Sequence, residues 1–102
     1  MLEPRADGRL TGMGLEAVTP SAREKVFVER AANFSKNLYA APNRLTGPRL
    51  AWLDLPPGGA MRAPGEASGM LSLECAMDEL AEKVGLDPLE LRLRNEPTVD
   101  PT

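Results

Sequence analysis

The stretch AMRAPGEASGMLSLECAMDELAEKVGLDPLELRLRNEP, residues 60–97, is the most patterned part of the chain. From about Ser68 to Val84 it predicts an amphipathic helix, because Met70, Leu73, Met77, Leu80, Ala81 and Val84 recur at helical spacing on one face. Gly85 is the expected stop, since glycine readily takes the left-handed conformation that closes a helix. A second helix should begin at Asp87. Its carboxylate can accept the first free amides, Pro88 fits the first helical position, and Glu90 completes a capping box. Leu89, Leu91 and Leu93 are its apolar residues, and Asn95 and Pro97 end it.

Upstream of this pair, residues 56–69 (PPGGAMRAPGEASG) read as a Pro/Gly-rich loop, too long for a simple turn. Arg44 to Leu55 is a strand candidate, with Leu45, Leu50 and Trp52 as its apolar positions. Gly47-Pro48 interrupts it and implies a bulge or an edge position. Arg9 to Val18 is an earlier strand with imperfect alternation of Leu10, Met13, Leu15 and Val18. Thr19-Pro20-Ser21 is expected to break it. Residues 22–37 carry a weak helical period through Val26, Phe27, Arg30, Ala31 and Phe34, and residues 38–43 should be extended. Residues 1–8 read as a polar lead-in with a turn at Asp7-Gly8.

The sum is an α+β chain of short strands with a C-terminal αα pair. It divides into a strand–helix–strand part (1–55), a loop (56–69) and a helical pair (70–97), which together make residues 1–102 a partial domain. A two-stranded sheet is marginal alone. The apolar helix face therefore asks for a larger parent fold.

Composition excludes several functions. The net charge is −3 and no Lys/Arg-rich run occurs, so nucleic acid and acidic membrane surfaces find no electrostatic support. There is no histidine, which removes the usual zinc ligand and neutral-pH proton shuttle. The single cysteine, Cys75, has no partner for an intrachain disulfide and no histidine to activate it. No apolar run reaches membrane-spanning length. Glu74, Asp78, Glu79 and Glu82 read as a solvated acidic face. The turn from Leu80 to Leu91 has helix-turn-helix spacing, yet its surroundings are too acidic to approach phosphates.

Taken together, three motifs in order carry a family resemblance. They are the loop Arg62-Ala-Pro-Gly65, the helix segment Glu74-Cys-Ala-Met-Asp-Glu-Leu-Ala81, and Asp87-Pro-Leu-Glu-Leu-Arg-Leu-Arg-Asn95. Tyr39-Ala-Ala-Pro-Asn43 and Asp54-Leu-Pro-Pro57 precede them at matching places. In this the chain resembles the large molybdopterin-binding subunit of the xanthine dehydrogenase and aldehyde oxidase family, from about Asp7 to Asp100. The family subunit is several hundred residues long, so the resemblance implies an internal fragment of a larger molybdenum-cofactor-binding domain.

The resemblance further implies an oxidoreductase that hydroxylates aldehydes or related substrates with a molybdenum–molybdopterin cofactor. Its partners would be the rest of the molybdenum subunit and iron–sulfur and FAD subunits or domains. Arg62, Ala63 and Gly65 fall where the family's loop passes the cofactor. Pro64 stands where xanthine dehydrogenases place a substrate-facing phenylalanine, which points to the aldehyde-oxidising branch. Arg30 lies 32 positions before Arg62, the separation at which xanthine dehydrogenases carry a substrate-orienting arginine. No catalytic residue is assigned: the family's catalytic glutamate sits in a Gly-rich motif absent here, and Glu66 is not that residue. The chain is thus expected to be inactive alone. Two other readings remain open at this point, a non-catalytic interaction fragment and a small DNA-binding module. Cytoplasmic location is expected, with the periplasm open because some relatives are exported already folded.

Overall fold

The computed structural model describes residues 1–99. The chain opens with a hairpin. β1 (Leu2–Pro4) pairs antiparallel with the start of β2 (Leu10–Ala22). Gly8, at φ 82°, closes the turn, its amide donating to the Arg5 carbonyl at 3.0 Å. The lead-in expected at residues 1–8 is therefore partly a strand, recruited by pairing that a three-residue polar segment does not announce.

β3 (Asn43–Leu53) lies parallel to β2 in continuous register from Gly12↔Asn43 to Ala22↔Leu53, giving the sheet order β1-β2-β3. β2 does not break at Thr19-Pro20-Ser21 as expected. The ladder explains why. Gly14 exchanges both backbone hydrogen bonds with Met1, so its N–H and C=O point to the β1 side. Direction alternates along a strand, so Pro20, six residues on, also faces away from β3 and removes no donor from that ladder. By the same alternation, Pro48, opposite Ala17, points to the outer edge of β3. Gly47-Pro48 thus marks an edge strand without a bulge.

The parallel pair needs a crossover, residues 23–42. The helix expected over 22–37 is reduced to a 3-10 turn, Asn33–Lys36. Its backbone groups go elsewhere. Ala31 N–H turns back on the Glu29 carbonyl, Ser35 Oγ–H donates to the Ala32 carbonyl at 2.6 Å, and the Arg44 guanidinium donates to the carbonyls of Ser35 and Tyr39. One local hydroxyl, a tight backbone turn and the more distant Arg44 take the place of the helical ladder.

α1 (Glu66–Val84) starts two residues earlier than expected, so the loop ends at Gly65. α2 (Pro88–Arg94) follows Gly85, which is left-handed with φ 69°. Asp87 caps α2 as anticipated, accepting the amides of Leu89 and Glu90. The core joins Leu10 of β2 with Met77, Leu80 and Ala81 of α1 and Leu91 of α2. Leu73 is buried too, but Met70 is exposed. Leu89 and Leu93 are also exposed: four residues apart, they share the face opposite Leu91.

The molecule is elongated, 49 × 26 × 23 Å, with a Cα radius of gyration of 15.5 Å. A compact chain of this length would have about 13 Å. The excess comes from the β2–β3 ribbon, which runs past the helices and leaves Val18, Leu45, Trp52 and Leu53 in solvent.

Candidate functional site

The loop between β3 and α1 ends in a tight turn at Arg62-Ala-Pro-Gly65. Ala63 has φ 61° and Gly65 φ 89°. A left-handed alanine costs about 1–2 kcal/mol, so the turn is held by its surroundings. The holding contact is visible. A Cβ placed on Gly65 would sit 2.6 Å from the carbonyl carbon of Arg30 and 2.8 Å from the Ala31 nitrogen. The Gly65 backbone is thus pressed against the Arg30–Ala31 peptide, which only glycine permits. Glu29 adds a carboxylate that accepts the Gly65 amide at 3.0 Å. One turn later, Gly69 lets α1 lie directly on the Ala31 carbonyl and the Phe34 ring, where any Cβ would overlap both.

This packing brings the two arginines singled out from the sequence to one region. Arg30 and Arg62 are exposed, and among the described residues neither joins an ion pair. Ala63 and Pro64 are exposed beside them, whereas Gly65 is buried. No side chain caps α1, and its first turn carries Glu66. Glu29 and Gly69 have no distinguishing pattern in the sequence. Only the folded contact reveals that Glu29 already uses the amide of Gly65, so that glycine offers close approach and no free donor. Beside the turn, an open groove of about 300 Å³ runs between β2 residues 15–20 and Ser68, Gly69 and Ser72 of α1.

A second polar cluster fastens α1 to α2. Arg92 donates to the Glu74 carboxylate through Nε at 2.8 Å, to the Glu74 carbonyl at 3.2 Å, and pairs with Asp78 at 2.8 Å. Tyr39 Oη–H donates to the other Glu74 oxygen at 2.7 Å. Burial and this hydrogen bond to an anion push the Tyr39 phenol up to about 12. Burial opposes the Arg92 charge, but its bonds to Glu74 and Asp78 outweigh that and raise its pKa. Glu74 and Asp78 are therefore structural partners and not a plain solvated face. Arg94 is likewise committed, to Glu90 and the Asp7 carbonyl. Both arginines of α2 are paired within the protein, which counts against the DNA-binding reading.

Comparison with known proteins agrees with this geometry. The molybdopterin cofactor-binding domain family matches residues 4–96. The aldehyde oxidoreductase molybdenum-binding subunit PaoC of Escherichia coli K12 is 62% identical over 73 residues, which are 72% of this chain and 10% of that protein. An aldehyde oxidoreductase of Megalodesulfovibrio gigas is 41% identical over 71 residues, 65% of this chain and 7% of that one. The solved aldehyde oxidoreductase of Desulfovibrio gigas superposes with a TM-score of 0.85 at 32% identity, covering 99% of this chain and 12% of its own. The chain spans about a tenth of the length of the relatives it matches. With three motifs, the fold and the match over residues 4–96 in agreement, the chain belongs to the molybdopterin cofactor-binding domain family, within the xanthine dehydrogenase and aldehyde oxidase group.

Proposed function

We propose that this chain forms one wall of a molybdenum–molybdopterin site in a subunit that hydroxylates aldehydes or related substrates. The observation that carries the reading is the strained turn Arg62–Gly65, clamped on the Arg30 backbone with both guanidiniums exposed. Strain kept at an exposed turn is a mark of function more than of stability. The residues present suit an anionic, acceptor-rich group. Arg62 can donate to phosphate or pterin oxygen atoms, and Ala63 leaves room for close approach. Among the described residues no cluster of His, Cys, Asp or Glu side chains is arranged to hold a metal ion. On this reading a molybdenum would be held through its pterin. When bound, the cofactor supplies two-electron oxidation of the substrate with water as the oxygen source.

Around it, Arg30 would face negative charge developing on the substrate, and Pro64 would shape the substrate side without an aromatic ring to stack on purines. The proton-handling glutamate would come from elsewhere in the subunit. Electrons would leave for iron–sulfur and FAD partners. The relative PaoC is itself named a subunit, which supports a multi-subunit setting.

The test is a chimera in which this chain replaces the matching segment of the Escherichia coli subunit. Molybdenum content, pterin fluorescence and aldehyde-dependent dye reduction should persist in the chimera. Arg62→Ala should lower cofactor content, and Arg30→Ala should raise KM or lower kcat with content unchanged. Unaltered content and turnover in both variants would overturn the proposal.

A further inference from the structure

The open groove lies beside an unpaired stretch of sheet edge. β1 covers β2 only as far as Gly14, which bonds to Met1. Beyond that point the lane of β1 is open along Glu16–Pro20, where Glu16, Val18 and Pro20 are exposed, and it closes at the buried Ser21 and Ala22. By the alternation set at Gly14, the N–H groups of Glu16 and Val18 and the carbonyls of Glu16, Val18 and Pro20 point into that lane. Among the described residues none of them has a backbone partner. The far wall is α1. Its residues Ala76 to Val84 run alongside β1, and its earlier turns present Ser68, Gly69 and Ser72 to the gap, with Glu29 and Ala31 of the crossover beside them. A row of unmet donors and acceptors opposite a wall that is small except for Glu29 is a slot for one more strand. The outer edge of β3 carries Pro48.

We infer that the lane over Glu16–Pro20 is filled by a β-strand from the remainder of the molybdenum-binding subunit, continuing the course of β1. The occupant follows from length: this chain spans about a tenth of its relatives, which leaves some nine-tenths of the subunit to supply the strand. The inference rests on family membership and is independent of any cofactor contact.

The test uses the 102-residue chain and overlapping 20-residue synthetic peptides covering the Escherichia coli subunit outside the matching segment. Amide hydrogen exchange is followed by NMR. Peptides from one contiguous region should slow exchange at Glu16 and Val18 at least tenfold. Ala17 and Thr19, which bond to β3, should not change. Val18→Pro should abolish the effect while Ala17 and Thr19 stay protected, since that proline would face the lane as Pro20 does. Absence of protection at millimolar peptide would overturn the inference. So would protection that appears on concentrating the chain alone with a doubling of its mass, because a second copy would then be the occupant. Neither result bears on the cofactor site, which the chimera tests separately.

Discussion

The side-chain carbonyl of Asn95 accepts the Leu10 amide at 2.7 Å, joining residues 85 positions apart. Its amide nitrogen donates to the carbonyls of Gly8 and Leu91, each at 2.8 Å. Asn95 is almost fully buried, so this one side chain rivets the end of α2 to the start of β2. Asn95→Ala strands the Leu10 N–H and the Gly8 carbonyl without water. Each unmet buried group costs about 1–3 kcal/mol, so a loss of about 2–4 kcal/mol is expected, read from urea unfolding. Asn95→Asp should lose more at pH 7 than at pH 4. A charged carboxylate would face two carbonyls there, and protonation restores the donor.

Tyr39 makes a pH prediction. Its phenol is raised from 10.0 to about 12 by burial and by donation to Glu74. The neutral form is thus favoured in the folded state. Stability is fully present below pH 10, where the unfolded phenol is neutral. It falls between pH 10 and 12, where the unfolded chain ionises and the folded chain resists. Absorbance at 295 nm should show Tyr39 titrating near pH 12. The extra loss of stability over that window should vanish in Tyr39→Phe. A phenol titrating at the ordinary value would contradict the burial.

These two residues also show what the sequence disclosed and what it hid. Asn95 and Tyr39 both stood in matched motifs, and the αα pair, its Asp87 cap and its Gly85 stop were readable because capping chemistry is local. The crossover was not. Val26, Phe27, Ala31 and Phe34 kept a helical period, but the carbonyls of Ser35 and Tyr39 were claimed by Arg44, a partner no local pattern displays. The persistence of β2 through Pro20 depended on which side of the ladder the proline faced, a matter of register. The resemblance singled out Arg62 and Arg30 as candidates by their positions in the sequence. Their approach through Gly65 was not legible there, because it is a backbone contact.

Arg92 offers a test of geometry against charge. Its guanidinium reaches Glu74 and Asp78 together, a fork that a lysine cannot reproduce. Arg92→Lys keeps the charge and should cost about 1 kcal/mol. Arg92→Ala leaves a half-buried Glu74 without its cation and should cost about 2–3 kcal/mol, in the range for charged hydrogen bonds. Denaturant unfolding of both variants and of Arg92→Ala/Glu74→Gln separates the terms. The double variant should recover part of the loss.

The glycines of the loop and of α1 allow the same substitution to be compared in three surroundings. Gly85→Ala meets open space and should lose only about 1 kcal/mol, for the left-handed backbone. Gly69→Ala has no backbone strain but would drive a methyl group into Ala31 and Phe34, so overpacking of about 1–3 kcal/mol is expected. Gly65→Ala combines a positive φ with overlap on the Arg30 peptide and should lose most of the three. The consequence reaches the site. Gly65 and Gly69 are where the arginine-bearing turn and the Arg30 segment touch, so both alanines should move the segments apart before they unfold the chain. A spin-label pair at Lys25 and Met61 reads that separation directly. Gly85→Ala should leave the distance unchanged while Gly65→Ala lengthens it, and equal distances in all three would show that the glycines serve packing alone.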